Sequence, residues 1–270
     1  MDYRSLSDCL TTLRGAQGPA AAMFELSIDG PVARLTLDRP ANGNALRLDD
    51  WRVLVALVEQ AARMRARVLL VESRVEGSFC TGADLNELAL LHADPTARLP
   101  FRNAMRAALD GIRRSPLPVI AAIDGDCFGA GLALAAACDL RVVGPRARFA
   151  VPAARLGIGY PLEDIARLRA LVGEGQAARL LLTAAPIDAQ EAVRIGFAQL
   201  AGIEPRVLAR DVAGNAPAAL AMLKNGLLLA ASGVAVDEGH DRAFDAAFGS
   251  AEFEQGYSAH REGRLPTFGQ

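Results

Sequence analysis

The sequence predicts an α/β fold with a parallel core and a helical C-terminal region. Three observations carry this. A strand, a tight turn and a helix follow one another more than once in the first half of the chain. Two of those turns are centred on glycine, at residues 78–85 and 125–131. From Pro161 onward the apolar spacing becomes that of helices. A helix between two strands returns the chain to the starting edge of the sheet, so such units make neighbouring strands parallel.

The elements follow in order. Residues 24–28 and 32–37 alternate in polarity as strands do, and Asp29-Gly30 between them is a hairpin signal. Leu48, Trp51, Leu54, Val55 and Val58 give residues 48–64 a helical stripe. Residues 68–71 read as a short buried strand. A loop leads to the first glycine turn, where Asp84 is a suitable N-cap for a short helix. Residues 99–112 read as another helix, stopped by Pro116 and Pro118. Residues 119–123 are a second buried strand, 125–131 the second turn, 132–137 its helix and 140–143 a third buried strand. Helices are then expected over 162–172, 175–182, 189–195, 205–213, 218–231 and 236–248, with a strand-like interruption at 197–201. The chain divides into a loose leader over 1–22, a core over 23–203 and a helical region over 204–270.

Composition bounds the function. With 270 residues the chain can bury a substantial core. Hydrophobic residues make up 51% and charged residues 22%, an ordinary globular balance. The formal net charge of −2 gives no electrostatic case for nucleic acid. No apolar run approaches the ~18 residues of a membrane helix, and residues 1–22 lack the pattern of a signal peptide. A cytoplasmic protein is expected. Cys9, Cys80, Cys127 and Cys138 have no metal-type spacing and read as small buried residues in a reducing compartment. His92, His240 and His260 are scattered, and no Gly-x-Ser-x-Gly elbow accompanies them, which argues against a Ser-His-Asp hydrolase. No metal site is expected.

The two glycine turns carry the chemistry. Each lies where a strand ends and a helix begins, a place with spare backbone N–H groups. If the turns face one another, the N–H groups of Ala83 and Ala130 can hold one thioester carbonyl oxygen. Charge pushed onto that oxygen, on loss of a proton or carboxylate from the next carbon, would be stabilised there. One such donor is typically worth ~3–4 kcal/mol of barrier. The plainer alternative is that Gly82, Gly129 and Gly131 only permit tight turns and close helix–strand contact. A dinucleotide loop would need Gly-x-Gly-x-x-Gly, and Gly125-x-x-x-Gly129-x-Gly131 has the wrong spacing.

These segments resemble the crotonase (enoyl-CoA hydratase/isomerase) superfamily. Ser78-Phe79-Cys80-Thr81-Gly82-Ala83-Asp84-Leu85 is similar to its F-x-x-G-A-D-L turn, and residues 125–139 to its G-x-x-x-G-G-G-x-E-L-A-x-x-C-D segment. Arg39-Pro40 with Asn44-Ala45-Leu46, residues 149–157 and residues 181–196 resemble three further motifs of the family. The likeness runs from about Phe24 to the C-terminus. It implies a crotonase-like spiral of ββα units, an acyl-CoA ligand, no separate cofactor beyond the coenzyme A of the substrate, and a homotrimer or homohexamer. It places the oxyanion donors on Ala83 and Ala130. It places CoA contacts around Ala45, Ala83, Asp84 and Leu85, with Lys224 or Phe253 as a contact from the C-terminal region.

The departures shape the expected reaction. The family's two hydratase glutamates match Ala133 and Ala153, and a methyl group cannot move a proton. Two-glutamate hydration is therefore not available. Tyr160, Glu163 and Asp164 are the polar candidates in the following loop. Leu156-Gly157-Ile158-Gly159-Tyr160 is similar to a loop of the methylmalonyl-CoA decarboxylase branch, although that branch carries histidine at the position of Ala83. Decarboxylation of a malonyl-type CoA needs no base, whereas Glu163 or Asp164 could shuttle a proton in enoyl-CoA isomerisation. Both acids also suit the first turn of a helix for dipole reasons alone. The alternatives are hydration by another residue set and a non-catalytic acyl-CoA-binding subunit.

Overall fold

The computed structural model describes residues 23–268. The leader expected over 1–22 lies outside them.

Two sheets carry the fold. The first has six strands in the order β1 (Phe24–Asp29), β2 (Val32–Leu37), β3 (Val68–Ser73), β5 (Val119–Ile123), β7 (Leu140–Val143) and β10 (Leu200–Ala201). Only the β1–β2 hairpin is antiparallel, and the other pairings are parallel. The second sheet runs β4 (Gly77–Cys80), β6 (Gly125–Phe128), β8 (Arg148–Ala150) and β9 (Ile187–Asp188). Chain order thus alternates between the sheets: β3 then β4, β5 then β6, β7 then β8. Each pair of strands feeds the next turn of a spiral.

Helices return the chain between turns. These are α1 (Leu48–Arg63), α2 (Leu85–Ala93), α3 (Arg98–Arg114) and α4 (Ala130–Ala137). Both faces of the six-stranded sheet are covered, which explains why β5 and the first four residues of β3, Val68 to Val71, are apolar. Leu69 and Val71 share one core with Trp51, Leu54 and Leu109 of α1 and α3. Val68, Leu70 and Ile120 face the opposite way, onto Ala209 and Ala213 of the later helix Pro205–Ala213. Each fully buried Leu or Val contributes roughly 1.5–3 kcal/mol.

The C-terminal half is helical as expected: α5 (Leu162–Thr183), α6 (Ala189–Arg194), α7 (Pro205–Ala213), α8 (Pro217–Ala231), α9 (Glu238–Ala247) and α10 (Ala251–Arg261). The segments expected as two helices over 162–182 are one element broken at Gly173, whose φ of 76° and ψ of 163° leave the helical region. The strand-like stretch 197–201 shrinks to β10, two residues paired with Val142 and Val143.

Both expected turns are partly strand, and Ser78 to Cys80 of the first belong to β4. Gly125 to Phe128 form β6, paired with β4 and β8. The first glycine is there for strand pairing. A Cβ on Gly125 would lie 2.3 Å from the carbonyl carbon of Gly77 across the pair. The true turn is confined to Gly129.

Candidate active site

The two turns meet. A Cβ on Gly82 would lie 3.1 Å from Phe128 O and 3.6 Å from Ala130 N. A Cβ on Gly131 would lie 2.2 Å from Cys80 O. Glycine is needed on both sides because each backbone occupies the space a side chain would fill. Gly82 also has φ of 114° and Gly129 φ of 49°, both in the left-handed half of the map.

The loop 39–46 aims the first turn. Leu46 forms an isolated parallel bridge to Ala83: its N–H donates to Gly82 O at 2.7 Å, and its O accepts from Asp84 N–H at 2.9 Å. In such a bridge the groups flanking the central residue are used, and that residue's own N–H points the opposite way. Thr81 N–H and Ser78 Oγ donate to Gly43 O, at 3.0 and 2.8 Å. Asn44 is fully buried at φ of 62° and spans the loop, donating to Ser73 Oγ and Phe79 O and accepting from Arg39 N–H. Arg39 and Asp50 hold the loop's base with two bonds of 2.7 and 2.6 Å.

The second turn leads directly into a helix. Gly129 N–H donates to Ala150 O at 2.9 Å, and Gly129 O accepts the first helical bond from Ala133 N–H. Ala130 is the first residue of α4, where an N–H has no intrahelical partner. Among the described residues, no backbone or side-chain acceptor is assigned to the N–H of Ala83 or of Ala130. Two unspent amides thus sit on abutting turns, one of them at the positive end of a helix.

The remaining expected site residues fall into separate environments. Ala45 is buried beside this bridge, and Leu85 is 40% exposed at the start of α2. Asp84 is a working N-cap, accepting from Asn86 N–H at 2.9 Å. Burial raises its pKa, but bonds from Asn42, Asn86 and Arg47 outweigh that and hold it below the usual carboxylate range. Its carboxylate is therefore occupied within the protein. Tyr160 packs on the core and donates from Oη to Gly129 O at 2.9 Å. Burial, with the Asp164 charge second, pushes its hydroxyl well above the usual tyrosine range.

The two acids differ sharply. Glu163 pairs with Arg106 of α3 at 2.7 Å, and this bond holds its pKa down. Asp164 is 2% exposed, bonds Arg167 at 2.6 Å through Oδ1, and leaves Oδ2 buried without a partner. Burial raises its pKa to about 6 against the pull of Arg167. Ala133 and Ala153 are both buried and offer only methyl groups.

Lys224 is engaged within the protein. Its ammonium is buried on Asp139 at 2.7 Å and on the carbonyls of Ile112 and Leu117 at 3.1 and 2.8 Å. Three donors meet three acceptors, which leaves none for a CoA phosphate. Sequence reasoning also missed the partners Arg106, Arg167 and Asn42. Only Arg167 had a local signal, three residues after Asp164 on one helix.

Other sites are unremarkable. A cavity of about 670 Å³ at the ends of β3, β5 and β7 is lined by Glu72, Asp124 and Arg146 among others. Its charged lining residues pair with one another and with Arg34, Arg206, Glu25 and Asp38. Among the described residues no cluster of His, Cys, Asp and Glu could hold a metal, and no helix is long and apolar enough to cross a membrane.

A ββα spiral with two opposed glycine turns defines a crotonase-fold protein. Residues 27–270 match the family model for enoyl-CoA hydratase/isomerase. The probable enoyl-CoA hydratase echA6 of Mycobacterium bovis is 34% identical over 242 residues, covering 88% of this chain and 95% of that protein. The short-chain-enoyl-CoA hydratase of Clostridium acetobutylicum is 32% identical, covering 75% and 79%. Among solved structures, an enoyl-CoA hydratase/carnithine racemase from Magnetospirillum magneticum superposes with a TM-score of 0.88 at 29% identity, covering 93% and 96%. The chain belongs to the enoyl-CoA hydratase/isomerase family, a family of acyl-CoA-processing enzymes.

Proposed function

We propose that this protein binds an acyl-CoA thioester with its carbonyl oxygen between Ala83 N–H and Ala130 N–H, and isomerises an enoyl-CoA through the enolate. The observation that carries it is the pair of unspent amides on abutting turns. Oriented donors in a site without water favour the charged enolate over the neutral carbonyl. Isomerisation needs one group that takes a proton from one carbon and returns it to another. Asp164 fits that need: it is buried, has a free Oδ2 and titrates near neutrality at about 6. Glu163 is committed to Arg106.

Decarboxylation fits less well. The tyrosine hydroxyl that would orient a substrate carboxylate donates to Gly129 O instead. Hydration lacks its carboxylates at Ala133 and Ala153. A second reading, an acyl-CoA-binding subunit without turnover, is favoured by the 2.6 Å bond that ties Asp164 to Arg167.

Ala45 and Leu85 would border the CoA, while Asp84 would hold the turn. The family likeness supports a homotrimer or homohexamer. So does the exposed aromatic run Phe244, Phe248, Phe253 and Tyr257 along α9 and α10, whose neighbouring rings lie 5.3, 5.4 and 5.9 Å apart.

Purified protein would be incubated with 3-enoyl-CoA, crotonyl-CoA and methylmalonyl-CoA in D₂O and followed by mass spectrometry. Isomerisation of the 3-enoyl ester supports the proposal. Binding without turnover of any ester supports the second reading, and rapid hydration of crotonyl-CoA defeats both.

A further inference from the structure

The peptide between Gly129 and Ala130 is gripped on its carbonyl side. Gly129 O accepts from Tyr160 Oη at 2.9 Å and from Ala133 N–H at 3.1 Å. The N–H of this same peptide is that of Ala130. Amide resonance couples the two ends: a donor on the oxygen draws electron density from the nitrogen and sharpens the N–H as a donor. The tether also matters for direction. Gly129, at φ of 49° and ψ of −114°, has no Cβ to resist rotation of that peptide. Tyr160 itself is held by its ring, which packs on the core.

We infer that Tyr160 is a positioning residue, which fixes the plane of the Gly129–Ala130 peptide and strengthens Ala130 N–H toward the thioester oxygen. This rests on the proposal that Ala83 and Ala130 hold that oxygen. Tyr160 then touches no reacting atom. Its proton stays on the phenol throughout, and it acts only through the peptide.

The test is vibrational and needs no turnover. Hexadienoyl-CoA carrying ¹³C at its thioester carbonyl is bound to the whole protein, and the carbonyl stretch is read by difference infrared spectroscopy. In the wild type the stretch moves to lower frequency than in solution. Tyr160→Phe is expected to bind the ester and lose on the order of 10–30% of that shift, the cooperative share of one added hydrogen bond. Site-specific 3-fluorotyrosine at position 160, a stronger donor, is expected to enlarge the shift. A packing role alone would change the melting temperature and leave the carbonyl frequency in place. An unchanged shift in Tyr160→Phe overturns the inference. If that variant fails to fold, an unchanged shift with fluorotyrosine overturns it. A bound wild-type ester with no shift removes the reading of the two amides themselves, which is a different result.

Discussion

Lys224 Nζ lies 2.7 Å from the Asp139 carboxylate, which fastens α8 to the start of β7, while its bond to Ile112 O ties it to the end of α3. It is the only lysine in the chain. Asp139 is pushed above its usual range by burial, against the pull of Lys224. Lys224→Met would take the ammonium from that carboxylate, leaving it Val119 N–H, and from the carbonyls of Ile112 and Leu117. A loss of about 3–5 kcal/mol is expected, read as a lower urea midpoint. Affinity of the remaining folded protein for acyl-CoA should be unchanged, which separates anchoring from ligand binding.

Gly131 and Cys80 define how closely the two turns abut. Gly131→Ala puts a Cβ where Cys80 O already stands, at 2.2 Å. The neighbour is backbone and cannot swing aside. The variant should lose about 1–3 kcal/mol or more in thermal unfolding and should bind acyl-CoA at least tenfold more weakly in calorimetry. Gly233→Ala serves as the comparison: no atom stands within 4 Å of its Cβ position, although its φ of 78° carries some strain. It should leave binding intact.

Asp164 gives a pH signature with a definite sign. Its folded pKa, about 6, stands above the unfolded value near 3.8. Below pH 3.8 it is protonated in both states. Between there and about 6 the unfolded chain releases the proton first, so stability falls as pH rises, by at most about 3 kcal/mol. Above about 6 this contribution is flat. Denaturant midpoints of wild type and Asp164→Asn across this window should differ in slope accordingly. Isomerisation has the opposite trend. The base must be ionised, so the rate should climb to a plateau above about 6, and Asp164→Asn should lose about 10²–10⁴-fold.

The described cysteines should be inert. Burial lifts Cys80 and Cys138 to about 12, and Cys127 well above its usual range. In a Cys9→Ser background the native protein should release no thionitrobenzoate from Ellman's reagent. After unfolding it should release one equivalent from each of Cys80, Cys127 and Cys138.

Much of this was legible in the residues because it rests on local chemistry. Asp84 as an N-cap, the β1–β2 hairpin, which turns at Gly30-Pro31 one residue past the expected Asp29-Gly30, and the helix over Pro205–Ala213 follow from spacing and turn residues. What stayed hidden depends on contacts distant in sequence. Gly125 looked like part of a turn until its partner Gly77 was known, because only the pairing shows that a Cβ is forbidden there. Lys224 looked like a ligand contact because nothing nearby announces Asp139 or the carbonyls of Ile112 and Leu117. The same holds for Tyr160, a loop aromatic until its hydroxyl meets Gly129 O. The helix Ala251–Arg261 went unpredicted, being polar on most of its surface with Ala259 as its one fully buried residue.

The decisive measurement is a crystal structure with a non-hydrolysable acyl-CoA thioether ketone bound, its carbonyl oxygen located against the main chain. The oxygen should lie about 2.7–3.1 Å from both Ala83 N and Ala130 N. A carbonyl oxygen turned away from these two nitrogens, with the CoA seated elsewhere on the protein, would contradict the account.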